Sequence, residues 1–214
     1  MSAKSVSRRD FLKAAGITLG ASVVTCSVLG FAVTHAPEYE TPEINYTKEN
    51  NMSKRILVTY ATRAGSTVEV AAAIGEVIAA RGFDVDVKPI KEKPSPDGYQ
   101  AVLVGSAIRM GNWLPEAIEF VKVNQEALNQ MPIALFTVHM LNRDDDEESR
   151  ANRLAYLKDV RPLFDAAEEV FFAGKFDMSR LSFLDRMISK AVKAVDEDCR
   201  DWDRIRGWAQ TVFA

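Results

Sequence analysis

The chain has 214 residues, 27 basic and 30 acidic, for a formal charge of −3, and 47% of its residues are apolar. That is a globular composition, with length for one ordinary domain and a short extension. It argues against a nucleic-acid partner, whose phosphates need clustered Lys and Arg. The two cysteines, Cys26 and Cys199, and the two histidines, His35 and His139, fall in no metal-binding spacing. Cys26 lies in an N-terminal apolar run, so an internal disulfide is not expected.

Residues 7–13, Ser-Arg-Arg-Asp-Phe-Leu-Lys, precede an apolar stretch over 14–33. A charged start, a twin arginine and an apolar segment of modest hydrophobicity read as a twin-arginine export signal. Residues 1–36 are that signal or a membrane anchor. Thr34-His35-Ala36 offers a small-residue cleavage site, while 14–33 has about the 20 residues a membrane-spanning helix needs. Either way the address is the outer face of the cytoplasmic membrane or the periplasm. Residues 37–53 hold Pro37, Pro42 and many polar residues, and read as a flexible linker. The folded domain is expected over 54–214.

Five short β-branched or aromatic runs come next, at 56–60, 83–88, 101–105, 133–138 and 169–173. Helical patterns separate most of them. Over 67–81, Val68, Ala71, Gly75 and Ile78 share a stripe; over 114–130, Ile118, Val121 and Leu128 do; 148–164 supplies the next helix. This alternation predicts an α/β fold with a parallel sheet covered on both faces. The alternating Phe83–Lys88 suits an edge or near-edge strand. After the fifth run, 174–195 carries Phe183, Met187, Ala191 and Val195 every four residues and is expected to cover the sheet. A second candidate cover, 199–213, has Trp202, Ile205, Ala209 and Val212 on one stripe, with Trp208 beside it.

In parallel sheets ligands sit beyond the carboxyl ends of the strands. The first such loop is Thr62-Arg63-Ala64-Gly65-Ser66-Thr67, which opens a helix. Helix N-termini present free N–H groups and a partial positive charge, so an anion is stabilised there. Thr62, Ser66 and Thr67 add hydroxyl donors, and Gly65 lets the chain turn. The loop has no lysine, as a Walker loop needs, and one glycine, where a dinucleotide fingerprint needs three. A monophosphate held by neutral donors fits best. The competing reading, a capping box of Ser66 with Glu69, leaves Thr62 and Gly65 unexplained.

The loop resembles the phosphate loop of the flavodoxin family, Ser/Thr-x-Thr-Gly-x-Thr, with Ala64 replacing one hydroxyl residue. Gly105, Ile108, Arg109 and Gly111, and the stretches at 131–148, 185–193 and 201–209, resemble the branch containing menaquinone-dependent protoporphyrinogen dehydrogenases. The resemblance implies a flavodoxin-like three-layer sandwich, a five-stranded parallel sheet of order 2-1-3-4-5, and FMN as cofactor. Carried onto this chain, it implies cofactor contacts from Thr62, Arg63, Ala64, Gly65, Ser66 and Thr67. A second loop would add Ser106, Ala107, Ile108, Arg109, Gly111 and Trp113, and a third Val138, His139, Met140 and Leu141. Arg63 either supplies a charged donor or points to solvent. Trp113 either stacks on flavin or packs into the body. Met140 and Leu141 line the flavin edge or pack. His139 reads as a strand end rather than a metal ligand, and Arg143–Glu148 as a solvated helix start.

The resemblance also implies FMN-dependent electron transfer, with a quinone or a redox protein as partner and protoporphyrinogen IX as the sharper choice of donor. The alternative is an exported electron carrier with protein partners and no small-molecule substrate. A scaffold without FMN has Ala64 as its one hint. Lys175, Arg180, Arg186, Lys190 and Lys193 beside an apolar stripe would bring 175–193 to an anionic membrane surface. If the N-terminal address is read by the twin-arginine route, Arg8→Lys with Arg9→Lys leaves loaded protein in the cytoplasm. Cell fractionation checks this, and unchanged export would sink the assignment.

Overall fold

A computed structural model of the chain describes residues 43–46, 55–183, 186–187, 189 and 195–214. The proposed signal, and the linker except 43–46, lie outside those residues. The chain divides into two compact units, one of residues 38–180 with 195–214 and one of 1–37 with 181–194. The sequence pattern instead predicts 181–194 within the single domain over 54–214.

The larger unit is built on five parallel strands: β1 (Arg55–Ala61), β2 (Asp84–Pro89), β3 (Ala101–Arg109), β4 (Ile133–His139) and β5 (Glu168–Ala173). Their order is β2-β1-β3-β4-β5, as expected. Successive side chains alternate faces, so β1 sends Ile56, Val58 and Tyr60 to one core and Leu57 to the other. Helix α1 (Ser66–Ala80) covers the first face and α2 (Pro115–Val123) the second. Leu57, Val58, Val102, Leu103 and Val104 are fully buried, as strands covered on both sides must be.

Several expectations are corrected. Ile44–Asn45, inside the proposed linker, pairs antiparallel with Val87 and Asp86 of β2. Tyr46 comes directly after it, with its amide on Val85 O at 2.8 Å. The parallel sheet therefore has a covered edge. Asp84 and Asp86, the polar positions of the alternating run, are buried. Arg55 and the Tyr99 hydroxyl each reach the buried Asp86 side chain at 2.6 Å.

Helix α1 buries much more than one stripe, because α4 (Trp202–Thr211) packs on it as well as the sheet. Ile205, Ala209 and Val212 are fully buried, each large side chain contributing about 1.5–3 kcal/mol. Of the two candidate covers, 174–195 and 199–213, the second thus packs on α1. In that earlier segment Phe183 and Met187 are exposed, Val195 too, and Lys175–Phe176 pairs antiparallel with Glu197–Asp198. In the smaller unit, Arg186 N bonds Ser182 O in a helical turn. The helix expected over 148–164 is α3 (Glu147–Ala155), which is mostly exposed. The helix stops at Ala155, a turn and a short 3-10 segment (Arg161–Leu163) follow, and Tyr156, Leu157, Val160 and Phe164 cover the sheet instead.

Gly105 of β3 lies under the Phe136 ring; a Cβ there would stand 2.0 Å from Cζ. Gly105→Ala should destabilise the fold by about 1–3 kcal/mol through overpacking. Gly207, on the open side of α4 with nothing within 4 Å of an added Cβ, should gain about 0.5–1 kcal/mol on Gly207→Ala. Urea unfolding of the two variants checks the opposite signs.

Candidate functional site

Because β1, β3 and β4 are parallel neighbours, their carboxyl ends converge. Ala61 sits beside Ser106, and Ala107 beside Val138. Three segments leave this edge: the 62–67 loop, the β3 extension and the 140–146 loop.

In the first, Gly65 has φ 80, a left-handed conformation that glycine adopts freely. It starts α1, and its amide donates to Thr62 Oγ1 at 3.1 Å. No side chain caps the helix. The Ser66 hydroxyl instead accepts the Lys175 amide at 2.9 Å, and Glu69 pairs with Arg200 and Arg180. The capping-box reading is therefore excluded. Thr67 is fully buried, and its Oγ1 has no hydrogen-bond partner. Leaving such a group unpaired costs about 1–3 kcal/mol. An orphan hydroxyl in the first turn of a helix, where a negative charge is favoured, fits a phosphate.

Arg63 does not point freely to solvent: its two guanidinium nitrogens meet Glu116 Oε1 and Oε2 at 2.5 and 2.9 Å. Ala64 is half-buried and supplies no polar side chain. Nothing in the spacing reveals the Arg63–Glu116 pair, 53 positions apart, or the tie from Ser66 to the backbone beyond β5.

The second segment is not an open loop. Ile108 pairs with Trp113 and Arg109 with Asn112, around Met110 and Gly111 at φ 51 and 76. Positive φ at both central residues is the signature of a tight hairpin turn. Its tip is exposed, Met110 at 83%. Ser106 is buried, its hydroxyl taken by Leu114 N and Ala107 O. Trp113 is 2% exposed, and its Nε1 donates to Thr137 Oγ1 at 2.9 Å. Of the two readings left open, Trp113 packs and offers no ring face for stacking.

In the third segment Val138 and His139 are buried, Met140 is half-buried, and Leu141 is exposed. His139 ends β4, its Nδ1 2.7 Å from Leu141 O. Burial pushes its pKa below the ordinary histidine value, and Arg153, Arg204 and Arg143 add to this. A neutral ring with the proton on Nδ1 satisfies that carbonyl. Arg153 bonds Asn142 O and Asp144 O, and the Asn142 side chain donates to the Tyr156 hydroxyl. The loop beside the site is thus held by α3 and by Tyr156 at its C-terminal end. Asp146 caps α3 through Ser149 N at 2.7 Å, as a solvated helix start requires. Among the described residues no group of His, Cys, Asp and Glu suits a metal ion.

Comparison with known proteins adds an independent finding. The family described as the flavodoxin domain matches residues 57–203. Protoporphyrinogen IX dehydrogenase (quinone) of Escherichia coli K12 is 25% identical over 170 residues, 74% of this chain and 94% of that protein. The protein of that name from Leishmania major is 27% identical over 150 residues, 68% of this chain and 64% of its own length. A solved flavodoxin from the domain Archaea, 21% identical, covers 65% of this chain and 99% of its own, with a TM-score of 0.41.

Replacing the orphan hydroxyl by a methyl of the same shape tests the geometry directly. Thr67→Val should raise the stability of the flavin-free protein by about 1 kcal/mol, read as a higher urea midpoint. A lower midpoint would mean that the hydroxyl already has a partner in the protein.

Proposed function

The chain belongs to the flavodoxin-domain family, and from that premise we propose that it is an FMN-dependent, quinone-linked oxidoreductase with protoporphyrinogen IX as electron donor. The observation that carries the proposal is the buried, unpaired Thr67 hydroxyl in the first turn of α1. The likeness to protoporphyrinogen IX dehydrogenases supports the choice of donor and acceptor.

FMN, when bound, supplies the redox chemistry of its ring system. The chain's own residues do the rest. The first amides of α1 and the hydroxyl of Thr67 hold the phosphate, and Gly65 opens the backbone to it. Met110 and Leu141, exposed at the same sheet edge, offer apolar surface to a lipophilic acceptor. His139, kept neutral by burial, holds the start of the third loop without adding charge.

The export signal read at 7–13 favours a second reading, an exported electron carrier with protein partners and no small-molecule substrate. In either reading the proposed location is the outer face of the cytoplasmic membrane or the periplasm. Membrane contact through 175–193 then rests on Lys190 and Lys193, which lie outside the described residues. Lys175 and Arg180 are already paired with Asp177. Among the described residues no helix is long and apolar enough to cross a membrane.

The purified chain should show an FMN spectrum that protoporphyrinogen IX bleaches and a menaquinone analogue restores. Bleaching by a redox protein but not by the porphyrinogen selects the carrier reading. Thr67→Val should weaken FMN binding about 10- to 100-fold, the equivalent of ~1–3 kcal/mol for one lost partner of a buried group. Unchanged affinity in that variant removes the phosphate assignment.

A further inference from the structure

The 62–67 loop carries a positive charge that its geometry does not direct at a phosphate. Arg63 stands two residues before Gly65, and both arms of its guanidinium are engaged by Glu116. Glu116 lies in the first turn of α2, where the helix dipole stabilises a carboxylate. The two side chains are 45% and 31% exposed. Such a pair adds little to stability. Its weakness makes it exchangeable: a carboxylate and a phosphate offer the same two-oxygen face to a guanidinium fork.

We propose that Glu116 is a positioning residue that holds Arg63 in reserve, so that the loop binds its phosphate with neutral donors. The proposal rests on the phosphate reading of the loop. Glu116 thereby sets how tightly, and with what salt dependence, the chain holds a phosphorylated flavin. Arg200, also near the start of α1, is not available for that role: its side chain is 5% exposed and fixed by Glu69 and Asp198, at 2.6 Å each. Lys175 and Arg180 are likewise turned to Asp177. Arg63, on the loop itself and half in solvent, can change partners with a rotation of its side chain.

The test titrates the full chain, freed of flavin, with FMN and with riboflavin, which lacks the phosphate. Affinity is read from quenching of flavin fluorescence at low and high salt. Glu116→Gln should tighten FMN about tenfold at low salt, lose most of that gain at high salt, and leave riboflavin unchanged. Arg63→Gln with Glu116→Gln should return FMN affinity to that of Arg63→Gln alone, because the gain passes through the guanidinium. If Glu116→Gln tightens FMN equally in the Arg63→Gln background, Glu116 merely repels the phosphate and the proposal falls. An unchanged FMN affinity in Glu116→Gln also overturns it, as does an equal gain for riboflavin. Failure of the underlying reading looks different: the parent chain itself would bind riboflavin as tightly as FMN.

Discussion

Helix α1 is buried at ten of its fifteen residues, and the carboxyl edge of the sheet depends on how it is held. The sheet packs on one side through Val85, Val87 and Val58, and α4 packs on another. Two polar ties then fix its first turn, Ser66 to the Lys175 amide and Glu69 to Arg200. A helix end gripped this way cannot drift to satisfy its own donors. Thr67 is left with a hydroxyl that finds no protein partner. The open hydroxyl at the start of α1 is thus a by-product of rigid packing elsewhere.

Charge around this edge is arranged with restraint. Four cations close to the start of α1 have carboxylate partners: Arg63 has Glu116, Lys175 and Arg180 share Asp177, and Arg200 has Asp198. His139 is held neutral by burial. The helix start adds dipoles, whose attraction to an anion is short in range and oriented. A site of that kind discriminates by fit more than by net charge, which suits a chain that is itself acidic.

Periodicity and turn chemistry made the five parallel strands and the loop that opens α1 legible, and the family resemblance supplied the strand order. Those features depend on local pattern, on the position of Gly65 and on a family resemblance. The second loop was less legible. The resemblance implied a cofactor-contacting loop there, and its tip is a two-residue hairpin turn with Met110 and Gly111 both at positive φ. Trp113 next to it could not be assigned, because its partner Thr137 lies on another strand, 24 positions away. The edge strand Ile44–Asn45 was hidden for a different reason. Two residues are too few to show a period, and the pairing comes from the open edge of β2 rather than from the segment. Segments 174–195 and 199–213 both carried an apolar stripe, and the second packs on α1. Ile205, Ala209 and Val212 gain contacts with α1 that no pattern along one helix can display.

Trp113 does not touch the proposed cofactor seat, but its burial makes it an optical probe. Its indole is shielded from water and hydrogen-bonded to Thr137. By contrast Trp208 donates to Glu168, and Trp202 lies under the guanidinium of Arg200. The three rings therefore sit in three unlike dielectric environments. The shielded one should emit at the shortest wavelength, in the range where flavins absorb. Resonance energy transfer from that ring would report cofactor occupancy, and the red shift of the same emission would report unfolding. Loading and folding can then be followed separately in one sample without an added label.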